Sequence, residues 1–358
     1  MTDNQNNRKT RDLLLKHCND YPALKAEDIF KFLFQSAYGC EHLVSDGDGA
    51  LKHIKSEYET LSERETPDTE RLDGEYSRVN LSCLKRGLSA ETLARLFCLS
   101  AKAEPNGNIL LESKLKIARE LVLNGELPIS PQDFDKSLDE WANLGYPALH
   151  HSEQFRREYK PAYRVIAKKY ADFIPVFSAI DKLLARGNAI IAIEGGSASG
   201  KTTLSQMLSQ IYDCNVFHMD DYFLRPEQRT AERLAEVGGN IDRERFAKEI
   251  LLPLKEKRTV EYRPYDCGTQ SLLPPVTALP KRLTVIEGVY SMHPAFEVYY
   301  DTSVFLDIDP DYQRTRISVR NSPDLAARFF AEWIPLEAKY FSGAKIRERA
   351  NIIIPVED

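Results

Sequence analysis

One stretch constrains this chain more than any other: Gly195-Gly196-Ser197-Ala198-Ser199-Gly200-Lys201-Thr202. It fits the pattern G-x-x-x-x-G-K-[ST] without deviation. Its flanks agree. A short β-branched run, residues 189–193, leads in, and a helical pattern over 201–212 leads out. A strand that turns through glycines into a helix aims successive backbone amides at one point, because glycine tolerates the unusual dihedrals of such a turn. The helix N-terminus adds partial positive charge there. Gly195 through Thr203 therefore predict a polyphosphate cradle. Lys201 supplies a mobile point charge for the outer phosphates, and the Thr202 hydroxyl suits Mg2+. ATP with Mg2+ is the expected ligand pair.

Further short apolar runs follow at 215–219, 283–286, 303–308 and 351–355, separated by helical stretches. Runs of this length between helices predict buried parallel strands with crossover helices. The first half reads differently. Residues 26–35, 51–61, 89–101 and 111–123 carry apolar side chains at three- and four-residue spacing, as helices do. Residues 133–144 repeat the pattern, with Asp133 as the expected N-cap. A long segment, 154–184, is divided by Pro161 and Pro175. The expected fold is thus an α/β domain, a parallel sheet flanked by helices, over 186–358. A mostly α-helical domain over 1–185 precedes it. A chain of 358 residues is long enough for two such cores.

Charge narrows the partners. Residues 1–185 carry 26 basic and 29 acidic side chains, and the remainder 22 and 25. Neither half offers the basic surface of a nucleic-acid binder. No apolar run reaches the roughly 20 residues of a membrane span. The polar start MTDNQNNRKT lacks the apolar stretch of a secretory signal. The six cysteines (18, 40, 83, 98, 214 and 267) form no C-x-x-C pair, so reduced thiols and a cytoplasmic location are expected.

Two of the predicted strands end in acids. His218-Met219-Asp220-Asp221-Tyr222-Phe223 closes one, and Leu283-Thr284-Val285-Ile286-Glu287-Gly288 the other. Carboxylates at the C-terminal ends of parallel strands face the ligand crevice of an open α/β sheet. One there can accept a hydroxyl proton, and another can orient water on Mg2+.

Together, GGSASGKTT (195–203), HMDDYF, NIDRERF (240–246), EYRPYDC (261–267), VIEGVY (285–290) and ANIIIP (350–355) resemble the uridine kinase/phosphoribulokinase branch of the P-loop kinases. The resemblance spans about 188–356. It implies ATP- and Mg2+-dependent phosphoryl transfer to a hydroxyl of a small molecule, most simply the 5′-hydroxyl of a nucleoside. Asp220 matches the catalytic base, Glu287 the acid that holds Mg2+ through water, and Asp242 the carboxylate that grips ribose hydroxyls. Tyr265 matches an aromatic of the nucleoside pocket. Arg316 and Arg320 fall in the helix leading into the mobile lid, with Arg314 and Arg328 as weaker candidates. Kinases of this family often form homo-oligomers. Two departures stand out. Gln270 replaces the histidine that reads a pyrimidine edge, and Asn321–Arg328 replaces an Arg/Gly-rich lid. These departures keep open a kinase for a sugar phosphate or vitamin. A nucleotide-driven switch with the helical half as output is a further alternative.

The first half carries no family signature. Tyr38-Gly39-Cys40-Glu41-His42 and His150-His151 gather metal-capable side chains, but without the spacing of a zinc site. Between Phe155 and Phe173 basic residues interleave with aromatics. Phe155, Tyr159 and Tyr163 fall at i, i+4 and i+8, which predicts one helix with an apolar, core-packing face. An anionic ligand is the alternative.

Overall fold

The computed structural model describes residues 2–40, 47–61, 66–101 and 105–357. The chain forms two compact units, Met1–Ser178 and Ala179–Asp358. Glu41 and His42 lie outside the described residues. Among the described residues, no helix is long and apolar enough to cross a membrane, and no group of three or more histidine, cysteine or acidic side chains is arranged to hold a metal. No disulfide joins cysteines among the described residues.

The N-terminal unit is rich in helix, as expected. Its main helices span Thr2–Asp20, Ala26–Tyr38, Gly47–Glu59, Ala90–Ser100, Gly107–Leu123 and Pro131–Asn143. The last begins one turn earlier than expected: Ser130 is the cap, accepting from the Asp133 amide, and Pro131 takes the first helical position. The unit also holds a three-stranded antiparallel sheet that periodicity did not reveal. Its strands are β1 (Thr69–Arg71), β2 (Tyr76–Asn80) and β3 (Tyr163–Ala167), in that order. Here the single-helix expectation for 155–173 fails. The helix Glu153–Tyr159 ends at Lys160, which takes the left-handed conformation, and Pro161 follows. Tyr163 therefore sits in a strand, on a different element from Phe155.

Arg78 on β2 anchors this unit. It is 1% exposed. Its guanidinium lies 4.7 Å from the Tyr163 ring centroid and 5.5 Å from that of Phe32. Nε donates to Gln35 Oε1 at 2.9 Å, and Nη1 pairs with Glu70 Oε2 at 3.2 Å. Burial alone would raise the Glu70 pKa. The Arg78 charge and the His17 hydrogen bond outweigh it and hold the value at about 2.

The C-terminal unit is the expected α/β fold. Its strands are β4 (Ala189–Gly195), β5 (Cys214–His218), β6 (Val260–Tyr262), β7 (Tyr265–Asp266), β8 (Ser271–Leu272), β9 (Val276–Ala278), β10 (Leu283–Glu287), β11 (Thr302–Ile308) and β12 (Ile352–Val356). Five of them make one parallel sheet in the order β12-β11-β4-β10-β5. The chain leaves β4 for one edge, returns to β10, then crosses to β11 on the other side. That reversal beside β4 opens a crevice at the C-terminal strand ends. The strands are apolar because both faces are covered: β10 is buried along its whole length. The remaining strands form two antiparallel ribbons, β6 with β9 and β7 with β8.

Replacing Arg78 by Leu leaves Glu70 without its counter-charge, and we expect a loss of about 3–5 kcal/mol, read by chemical denaturation. The pH dependence has a definite sign. The folded Glu70 pKa lies below its ordinary value of 4.5. Its stabilising contribution is therefore present above pH 4.5 and disappears as pH falls towards 2. The variant should lack that component of acid unfolding.

Candidate functional site

The site grows from the last residues of β4. Gly195 has φ +150°, and a Cβ there would stand 2.7 Å from the Leu306 carbonyl oxygen. Gly200, at φ +101°, starts the helix Lys201–Ile211. Between them the loop curls as the pattern predicts. Lys201 Nζ donates to the Gly195 and Gly196 carbonyls at 2.9 and 3.0 Å. Ser199 is buried, and its hydroxyl has no partner among the described residues. A buried orphan hydroxyl inside a phosphate-type loop fits a ligand oxygen.

Strand register brings the acids to this loop. Glu287, at the end of β10, lies opposite Ile193 of β4 and His218 of β5. Thr202 Oγ1 donates to Glu287 Oε1 at 3.1 Å, and His218 Nδ1 meets the same oxygen at 2.6 Å. That bond, ahead of the opposing effect of burial, raises the His218 pKa. Asp220 stands two residues past β5, in the tight turn Met219–Tyr222. Its side chain is exposed to solvent, yet protein atoms surround it densely. This enclosure, and secondarily Glu287, raise its pKa, while Lys201 and His218 pull it down. The hydroxyl of Thr202 and the carboxylates of Glu287 and Asp220 are hard oxygen donors of the kind Mg2+ takes. The donor set fits that ion, and Thr202 and Glu287 are the residues that would hold it.

The acceptor-side residues are placed as follows. Asp242 is buried and already engaged. Its carboxylate caps the Arg245 amide at 3.1 Å and accepts from Gln228 Nε2 at 2.9 Å. Its own amide donates to the Tyr222 carbonyl at 2.7 Å, which fastens it beside the Asp220 turn. Tyr265 is buried on β7, and its hydroxyl has no partner among the described residues. Gln270 is exposed in the loop joining β7 to β8, in the left-handed conformation.

The helix Pro310–Arg320 reaches the loop through Gln313, whose Nε2 donates to the Ser197 carbonyl at 2.9 Å. Arg316 and Arg320 follow at i+3 and i+7, on the same face. Arg316 lies over the Tyr312 ring and Arg320 over that of Phe329. Arg314 lies over Phe330, and Arg328 pairs with Glu332. The segment after Asn321 is helical. Ser322 caps Pro323–Arg328, a π-turn spans Phe329–Trp333, and Ile334–Gly343 completes it.

That last helix supplies a residue with no sequence signal. Glu337 is 5% exposed. It accepts from the Ser197 amide at 2.9 Å and from the Ser197 hydroxyl. A second such residue is Glu194. It accepts from the Gly195 and Met292 amides at 3.0 and 3.1 Å and from the Tyr340 hydroxyl at 3.0 Å. Complete burial pushes its pKa up to about 8.

Residues 190–324 match the model of the phosphoribulokinase/uridine kinase family. A uridine kinase of Chlamydia pneumoniae is 26% identical over 181 residues, which are 46% of this chain and 80% of the relative. A thymidylate kinase of Rickettsia canadensis (strain McKiel) is 27% identical over 154 residues, 37% of this chain and 70% of the relative. Among solved structures, a possible uridine kinase from Bacillus stearothermophilus aligns with a TM-score of 0.38 at 22% identity. That alignment covers 50% of this chain and 99% of the other. The family model thus matches residues 190–324 of the segment 188–356 that resembles the family in sequence, and the parallel five-stranded sheet flanked by helices is that of a P-loop kinase fold.

Glu337 presents a carboxylate to a loop amide that otherwise faces incoming phosphate. Burial raises its pKa, against the pull of Ser197 and Lys201. Glu337→Gln removes a competing negative charge. ATP affinity measured by calorimetry should rise about five- to tenfold, close to 1–1.4 kcal/mol. A weaker complex would show instead that Glu337 holds the loop in its binding shape.

Proposed function

We propose that the C-terminal unit transfers the γ-phosphoryl group of ATP to the 5′-hydroxyl of a nucleoside, in the manner of uridine and cytidine kinases. The observation that carries this reading is the position of Asp220. An accessible carboxylate stands at the strand-end crevice, within electrostatic reach of Lys201 and Glu287. A protein that only bound and released nucleotide would need no such group.

The loop amides and Lys201 hold the phosphate chain, Lys201 exchanging the Gly195 and Gly196 carbonyls for phosphate oxygens. Thr202 and Glu287 would hold Mg2+, which would supply charge neutralisation to the transfer. Asp220 accepts the proton of the attacking hydroxyl. The acceptor oxygen forms its bond to the γ-phosphorus, and the bond from that phosphorus to the bridging oxygen breaks. A carboxylate serves here because proton removal need only keep pace with a loose transition state. Its raised pKa makes it a better base than an ordinary aspartate. Asp242 and Tyr265 position the acceptor. Arg316 and Arg320 neutralise the transferring group from the helix that already touches Ser197 through Gln313.

A specific observation favours a second reading, a kinase for another small hydroxyl compound. Asp242 is tied to Gln228 and the Arg245 amide, and Gln270 is exposed, its side chain without a hydrogen bond among the described residues. Gripping a ribose requires Gln228 to let go.

The test is acceptor-dependent ADP formation by the full chain over a panel of nucleosides and sugar phosphates. Uridine or cytidine should support turnover, and Asp220→Asn should lower it by about 10²–10⁴-fold with ATP binding intact. Near-normal turnover in the variant overturns the base assignment. Turnover on a sugar phosphate with none on nucleosides selects the second reading.

A further inference from the structure

The N-terminal unit contains a cavity of about 1020 Å³. Four cationic side chains line it, Lys31, Arg156, Lys160 and Arg164, against one acid, Glu57. Glu57 is already committed to Arg164, whose Nη1 it meets at 2.7 Å. Lys31, Arg156 and Lys160 form no ion pair with a carboxylate among the described residues. The cavity therefore carries a local excess of positive charge in a unit whose sequence is acidic overall. Lys31 donates to the Leu149 carbonyl at 2.5 Å, which fixes its ammonium at the wall.

The wall behind these cations is built, not incidental. Arg78 Nε donates to Gln35 Oε1 at 2.9 Å, and Gln35 Nε2 to the Tyr163 hydroxyl at 3.3 Å. Tyr163 meets His151 Nε2 at 2.6 Å, and His151 Nδ1 meets Asp28 Oδ1 at 2.9 Å. Burial lowers the His151 pKa to about 4, so the ring is neutral and its tautomer is set. Nδ1–H donates to Asp28, and Nε2 accepts from Tyr163. Asp28 is saturated by the Ser152 amide and hydroxyl and the Lys25 amide. Every donor in this chain points one way, from a buried cation to a buried anion. Gln35, Tyr163 and His151 thus present fixed surfaces to the cavity, with Phe97 and Val165 as apolar neighbours. The volume matches a small metabolite.

We propose that this cavity binds a phosphorylated small molecule, with Lys31, Arg156 and Lys160 on the phosphate and the aromatic wall on the organic body. A phosphate ester suits three clustered cations, two of them ammonium groups, since it brings close to two negative charges in a compact head. Burial and the nearby Arg78 charge depress the Lys31 pKa to about 8, and a bound anion would relieve that pressure. The proposal is independent of the acceptor in the other unit.

The experiment is calorimetric titration of the full chain carrying Lys201→Ala, which disables the phosphate loop. The probes are ribose 5-phosphate, uridine monophosphate, ribose, inorganic phosphate, citrate and a single-stranded oligonucleotide. At least one ester should bind, with ribose silent. Arg156→Ala with Lys160→Ala, both exposed and removable without unfolding, should weaken it at least about tenfold. Lys31→Met should do the same, with circular dichroism unchanged. No ester binding in the millimolar range overturns the proposal. So does ester binding that these variants leave unaltered, a preference for citrate, or capture of a single-stranded oligonucleotide in place of the esters. Binding of inorganic phosphate as tight as that of any ester overturns the role of the aromatic wall.

Discussion

A carboxyl group without water around it governs the geometry of the C-terminal unit. Glu194 is the penultimate residue of the central strand and is completely buried, with three donors on its two oxygens. The Gly195 amide ties it to the start of the phosphate loop. The Met292 amide ties it to the chain that follows β10, and the Tyr340 hydroxyl to the helix Ile334–Gly343. Three segments far apart in sequence are thereby held to one point. The loop cannot move without disturbing the helix that carries Glu337, because both hang from the same side chain. Burying such a group is costly unless every lone pair is met. The three donors that do meet its oxygens fix the loop, the strand end and the helix to one another.

The N-terminal unit solves a similar problem with a longer chain. Arg78 and Asp28 are both buried, and neither is paired with the other. Gln35, Tyr163 and His151 connect them, each donating to the next. Such a chain spreads the polarisation over neutral groups and gives each side chain a single orientation. It also explains why a strand interrupts the helical half. Tyr163 has to face Arg78 and His151 together, and β3 paired with β2 brings Arg78 opposite Val165, two residues from Tyr163.

Much of the C-terminal unit was legible because its strands are covered on both faces. Burial on both sides makes each strand a short apolar run, and the phosphate-loop pattern marks where the first one ends. Asp220 and Glu287 were legible for the same reason: they are the first charges after such runs. Glu337 was not. Its role arises from a contact 140 residues away along the chain, which no local pattern encodes. β3 was hidden because aromatics four residues apart imitate a helical face, and only the left-handed Lys160 with Pro161 betrays the break. Arg78 was hidden because an arginine in a polar strand reads as surface. Stacking against Phe32 and Tyr163 buries it.

The resting phosphate loop is already full. Lys201 spends its hydrogen bonds on two carbonyls of the loop, and Ser197 spends its amide on Glu337. An incoming nucleotide therefore does not fall into an empty electropositive well. It takes part in an exchange, in which one set of charge-assisted bonds is given up as another forms. Affinity then reports the difference between two anions competing for one cradle.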